Sequence, residues 1–131
     1  MSPSKPLLTL WLRGARLRTL PLAVGPVVLG SASAWVYGSF YPLLALLALI
    51  VAVSLQVGVN YANDYSDGIR GTDDYRVGPA RLTGSGAVEP ELVKRAAFGF
   101  FGVAVVVGTA LVVLSGTWWL VIVGALAVWA A

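Results

Sequence analysis

Two long stretches without a single charged side chain, residues 19–63 and 96–131, constrain this chain more than any other feature. Stretches of this length and composition read as membrane-spanning helices. The composition agrees, at 58% hydrophobic and 11% charged with a mean hydropathy of +0.83, outside the range of soluble globular domains.

A span needs about 20 mainly apolar residues. The first stretch breaks at Gly38-Ser39-Phe40-Tyr41-Pro42, a turn-forming cluster with interfacial aromatics, and its halves, about 19–37 and 43–62, read as a helical hairpin. The second breaks at Ser115-Gly116-Thr117, giving spans at about 92–114 and 118–131. From Trp118 to Ala131 a helix rises only ~21 Å, short of the ~30 Å hydrocarbon core, so the fourth span is expected to be truncated. The expected fold is an all-α transmembrane bundle forming a single integral membrane domain over 1–131. A loop at about 63–91 is too polar to span.

All nine Lys and Arg residues lie in the N-terminal arm and in the central window, and the two short turns carry none. By the positive-inside rule the N-terminus and the loop are cytoplasmic, in a multi-pass protein of the cytoplasmic (inner) membrane. Arg13 to Arg18, the apolar run after them and Ser31-Ala32-Ser33-Ala34 imitate a cleavable signal peptide. Pro21 and Pro26 interrupt that core, and removing the first helix would reverse the charge logic of the hairpin. Gly25, Gly30, Gly99, Gly102 and Gly108 are expected to serve close helix packing in lipid.

The six acidic residues, Asp64, Asp67, Asp73, Asp74, Glu89 and Glu91, fall in one short window where an apolar helix meets water. Carboxylates at that depth are costly and mark a functional site by default. Gln56, Asn60, Asn63, Asp64 and Asp67 share one helical face if the second helix continues to Gly68. For Gln56 the expectation is interhelical hydrogen bonding. For Asn60, Asn63, Asp64 and Asp67 it is a site, because two acids one turn apart repel unless a cation lies between them. A hard ion such as Mg²⁺ takes carboxylate oxygens and completes its shell with substrate phosphates, and Asp73 or Asp74 could fold back as a third ligand. Arg70, Arg76, Arg81, Lys94 and Arg95 with Gly84-Ser85-Gly86 surround the acids, which suits a metal-bridged diphosphate. Lys94 and Arg95 read better as solvated charges at a helix start. With neither His nor Cys in the chain, disulfides, thiolate metal sites and imidazole general bases are excluded. Acids interleaved with the bases make nucleic acid an unexpected partner.

The run Asn60-Tyr61-Ala62-Asn63-Asp64-Tyr65-Ser66-Asp67-Gly68-Ile69-Arg70-Gly71-Thr72-Asp73 resembles the first aspartate-rich motif of the UbiA superfamily of intramembrane prenyltransferases, in its menaquinone-pathway branch. Arg76-Val77-Gly78-Pro79-Ala80-Arg81-Leu82 looks like the continuation in that branch, and Arg16-Leu17-Arg18-Thr19-Leu20-Pro21 resembles the start of the first helix. The third acid is displaced to Asp73 or Asp74, and Leu17 stands where the family usually has Pro. The resemblance implies a UbiA-like nine-helix fold, of which this chain would hold three full spans and a shortened fourth, and a second aspartate motif beyond residue 131. This chain alone would then lack half of the metal site and be inactive. It further implies Mg²⁺ on Asp64, Asp67 and Asp73 or Asp74, and a polyprenyl diphosphate supported by Asn60, Asn63, Arg81 and Arg16. Asp64 and Asp67 would be catalytic. The implied reaction transfers the polyprenyl group to 1,4-dihydroxy-2-naphthoate with decarboxylation, giving demethylmenaquinone. Hydroxybenzoate or homogentisate as acceptor, and an ion-transport subunit whose carboxylates line a path, stay open as alternatives.

Overall fold

The computed structural model describes residues 7–71 and 82–130. These form five helices in chain order: α1 (Leu7–Gly14), α2 (Leu20–Val36), α3 (Pro42–Ile69), α4 (Pro90–Ser115) and α5 (Leu120–Ala130), with a 3-10 turn at Leu17–Thr19 between α1 and α2. Three segments, Leu7–Val36, Pro42–Ile69 and Pro90–Ser115, are long and apolar enough to cross a membrane.

Local chemistry sets the ends. After α2 the chain turns at Gly38, whose φ of 68° favours glycine, with Ser39 N–H donating to Ala34 O at 2.8 Å. Pro42 then opens α3 and Pro90 opens α4, where a missing N–H costs nothing because first-turn donors have no intrahelical partner. Gly116, at φ 68°, caps α4 with its N–H on Val112 O at 2.9 Å.

Two elements differ from expectation. The amphipathic α1 opens the first apolar segment ahead of α2, and α3 runs on to Ile69, as the shared polar face through Gly68 required, so that residues 63–69, within the expected loop bounds, are helical. The polar last turns of α3 hold their helix because one side of them is docked on protein.

α3 is the centre of the assembly, packing most extensively on α4 and less on α2 and α1. The buried cluster Ala15, Val57, Tyr61, Leu82, Val88, Val93 and Ala97 lies at one end of the bundle, around the acidic end of α3. Leu22, Val28 and Leu29 of α2 and Val105, Val106 and Val113 of α4 are exposed, as suits side chains that a bilayer would cover.

The glycines assigned to close packing are not where the close approaches occur. A Cβ added at Gly25, Gly30, Gly99 or Gly102 would meet nothing within 4 Å, and at Gly108 only Val51 at 3.7 Å. Gly14, Gly58 and Gly68 are the tight positions, facing Leu82, Phe101 and Thr83 respectively.

Candidate functional site

α3 carries the polar stripe to the end of the bundle, and its members divide by environment. Gln56, Asn60 and Asp64 turn toward the protein, Asp67 is half-buried, and Asn63 is exposed.

Asn60, 4% exposed, donates through Nδ2 to Ala15 O at 2.9 Å and to Thr19 Oγ1 at 3.0 Å. Gln56 Nε2 donates to the same hydroxyl at 3.3 Å. Thr19 Oγ1 in turn donates to Arg16 O at 2.8 Å. One hydroxyl therefore joins two α3 amides to the connection between α1 and α2. Arg16 stands in that connection with φ 52°, the one non-glycine residue at positive φ among those described. The left-handed conformation costs roughly 1–2 kcal/mol for an L-residue. The Thr19 and Asn60 bonds to the carbonyls of Arg16 and Ala15 hold it there. Tyr61 adds a hydrogen bond from its OH to Trp11 O at 3.0 Å and an edge-to-face ring contact with Trp11 at 5.4 Å.

Asp64 is 1% exposed, among the most buried side chains of the described residues. Its Oδ2 accepts the Leu82 backbone N–H at 3.1 Å and its Oδ1 accepts that of Thr83 at 2.9 Å. Leu82 fills the space beside Gly14 and Tyr61, at 3% exposure, and Thr83 lies directly over Gly68. The segment then closes on itself, with Gly86 N–H on Thr83 O at 3.0 Å and Val88 N–H on Leu82 O at 3.2 Å. The chain that leaves α3 after Gly71 thus returns at Leu82 onto the same face of α3. Hydrogen bonds to a charged acceptor are worth ~1.5–3 kcal/mol each, and burying a Leu side chain about as much.

Two backbone N–H groups meet the Asp64 carboxylate, one on each oxygen. Each carboxylate oxygen keeps a further lone pair. Among the described residues, the Thr83 hydroxyl oxygen is buried without a hydrogen-bond partner. Among the described residues no group of three His, Cys, Asp or Glu side chains stands together. Asp73, Asp74, Arg76 and Arg81 lie outside the described residues. Arg70 follows α3 exposed, and Lys94 and Arg95 pair with Glu91 at 3.8 and 3.7 Å on the surface of α4, where such pairs contribute little. Lys94 Nζ also lies 5.8 Å from the Tyr65 ring centre.

The sequence reading missed Thr19, Leu82 and Thr83. A lone leucine in a polar loop, as at Leu82, was an available anchor signal, whereas nothing local distinguishes Thr83 from other loop threonines.

Comparison with known proteins assigns the fold a lineage. The chain is 56% identical over 116 residues to a 1,4-dihydroxy-2-naphthoate octaprenyltransferase of Mycobacterium leprae, covering 88% of this chain and 39% of that protein. It is 53% identical over 119 residues to the Mycobacterium tuberculosis protein of the same name, covering 90% and 40%. The chain belongs to the UbiA family. The Escherichia coli protein of that name matches at 47% over 87 residues, 66% of this chain and 28% of the relative. This UbiA-family chain corresponds to the N-terminal part of those relatives and spans about two-fifths of the length of the mycobacterial pair. No family model and no solved structure matches it. With three helices able to cross a bilayer, it is a multi-pass membrane protein.

Proposed function

We propose that this chain forms the donor-diphosphate end of a prenyltransferase that moves a polyprenyl group from its diphosphate to 1,4-dihydroxy-2-naphthoate, with decarboxylation to the quinol form of demethylmenaquinone. The observation that carries this reading is the buried carboxylate of Asp64 at the end of α3, with Asp67 one turn on, in a chain homologous to octaprenyltransferases named for that acceptor.

The donor set suits a hard divalent ion: carboxylate oxygens with lone pairs to share, and no thiolate or imidazole. Asp64, Asp67 and one of Asp73 and Asp74 would hold Mg²⁺. When bound, the ion supplies positive charge against the negative charge that grows on the departing diphosphate. The chain's own residues do the rest. Arg16 and Arg81 take free phosphate oxygens, for which a guanidinium fork is suited. Asn60 and Thr19 hold Arg16 in place, and Asn63 lies on the exposed side of the same helix end. The allylic C–O bond then breaks with its electron pair leaving on the diphosphate, and the electron-rich naphthoate ring attacks the allylic carbon, losing carbon dioxide in place of a ring proton. No nucleophilic side chain is needed. The N-terminal arm and the 63–91 region face the cytoplasm in this reading, where both substrates' polar ends are soluble.

The test is transfer of labelled polyprenyl diphosphate onto 1,4-dihydroxy-2-naphthoate by the full-length gene product in membranes, with hydroxybenzoate and homogentisate as competing acceptors. Product on the naphthoate alone supports the reading; product on either competitor alone reassigns the acceptor.

A further inference from the structure

The large majority of buried side-chain polar atoms in folded proteins are hydrogen-bonded, and an unpaired one calls for an explanation. Thr83 Oγ1 is such a group. Its position is fixed on two sides, because its backbone N–H is held by Asp64 Oδ1 at 2.9 Å and its side chain rests on Gly68, where an added Cβ would come within 2.3 Å of Thr83 Cγ2. The hydroxyl therefore cannot leave for a distant acceptor without undocking the segment.

The two N–H groups of this segment already hold an oxyanion. Leu82 and Thr83 offer consecutive backbone donors to the two oxygens of one anion, the way backbone nests hold phosphates and carboxylates. Asp64 occupies that nest as a built-in oxyanion. Gly84, Ser85 and Gly86, next along the chain, are exposed, and Gly86 turns at φ 67°, so small residues border the nest on the solvent side.

We propose that the Thr83 hydroxyl, held in place by the bonds of the Leu82 and Thr83 N–H groups to Asp64, is a phosphate-binding element that donates to an oxygen of the substrate diphosphate. The assignment rests on the proposed function above and adds to it a residue that neither the acid spacing nor the arginines single out. On binding, the diphosphate supplies the acceptor that the Thr83 hydroxyl lacks among the described residues.

The orphaned state makes the test sharp. Thr83→Val removes the hydroxyl at nearly constant shape, so the ligand-free protein loses no hydrogen bond, and relief of an unsatisfied polar atom leaves its unfolding midpoint unchanged or raised. In the full-length gene product the same variant raises the KM for polyprenyl diphosphate, and the inhibition constant of inorganic pyrophosphate, by about tenfold or more, the usual size for a lost bond to a charged group. Thr83→Ser keeps both near the unmodified values. A lowered midpoint with unchanged KM means that water or protein already partners the hydroxyl and overturns the assignment. A raised KM without weaker pyrophosphate inhibition means that the prenyl chain is being read, and overturns it as well. Asp67→Asn measured alongside separates the two levels: if it weakens diphosphate binding and Thr83→Val does not, only the Thr83 assignment fails, whereas no effect of either removes the diphosphate site itself.

Discussion

Asp64 and Leu82 are joined across the end of the bundle: the carboxylate of one accepts the backbone N–H of the other at 3.1 Å, while the Leu82 side chain lies beside Tyr61, one turn of α3 earlier. A single helical face therefore grips the returning chain by charge and by apolar contact together. Asp64 is a structural residue whatever else it binds.

Asp64→Asn tests that double role. The amide keeps the shape but replaces one acceptor oxygen with a donor that faces a backbone N–H, leaving one of the Leu82 and Thr83 donors unmatched. The expected loss is ~1–3 kcal/mol, read as a lower unfolding midpoint in detergent, and turnover is lost as well. Asp67→Asn should abolish turnover while membrane insertion stays intact.

The glycine contacts yield opposite signs for one substitution. Gly68→Ala and Gly14→Ala place a methyl within 2.3 Å of Thr83 Cγ2 and 2.4 Å of Leu82 Cδ1, and such overpacking costs ~1–3 kcal/mol. Gly99→Ala meets nothing within 4 Å, so the helix-propensity gain of up to ~1 kcal/mol remains. Unfolding titrations of the three variants in mixed micelles check the order.

Thr19→Val removes the hydroxyl shared by Gln56, Asn60 and Arg16. Two part-buried amides lose an acceptor, at ~1–3 kcal/mol, and Arg16 loses one of the bonds that hold its backbone at φ 52°. Arg16→Gly is the complement, since glycine adopts that conformation without strain: stability holds or rises while affinity for the diphosphate falls. Thermal unfolding and KM, measured on both variants, separate the two effects.

Tyr61→Phe keeps the ring contact with Trp11 at 5.4 Å and loses only the hydrogen bond to Trp11 O. The expected cost is ~0.5–1.5 kcal/mol, seen as earlier unfolding with the KM for either substrate unchanged.

The all-helical class and the long spans were legible because uninterrupted apolar runs admit few alternatives in lipid. The polar face of α3 was legible from spacing alone, and Gln56 acts as the interhelical glue expected of it. The partition within that face was not. Asn60 and Asn63 have the same chemistry, yet one is held against Ala15 and Thr19 and the other is exposed, a difference set by where α1 and the 3-10 turn dock. The nest at Leu82 and Thr83 was hidden for the same reason: it depends on contacts between residues 18 and 19 positions apart. Gly58 and Gly68 could not be told from Gly25 or Gly99 without knowing which faces meet.

The central claim is that the carboxylates at the end of α3 act through a divalent ion on a lipid diphosphate. Equilibrium binding of polyprenyl diphosphate to the full-length gene product in nanodiscs, with Mg²⁺ and with chelator, for the unmodified protein and Asp67→Asn, tests it most directly. The account predicts tight binding only with Mg²⁺ in the unmodified protein and a loss of that Mg²⁺ dependence in Asp67→Asn. Equal affinity with and without Mg²⁺, or an unaltered Mg²⁺ dependence in Asp67→Asn, would contradict it.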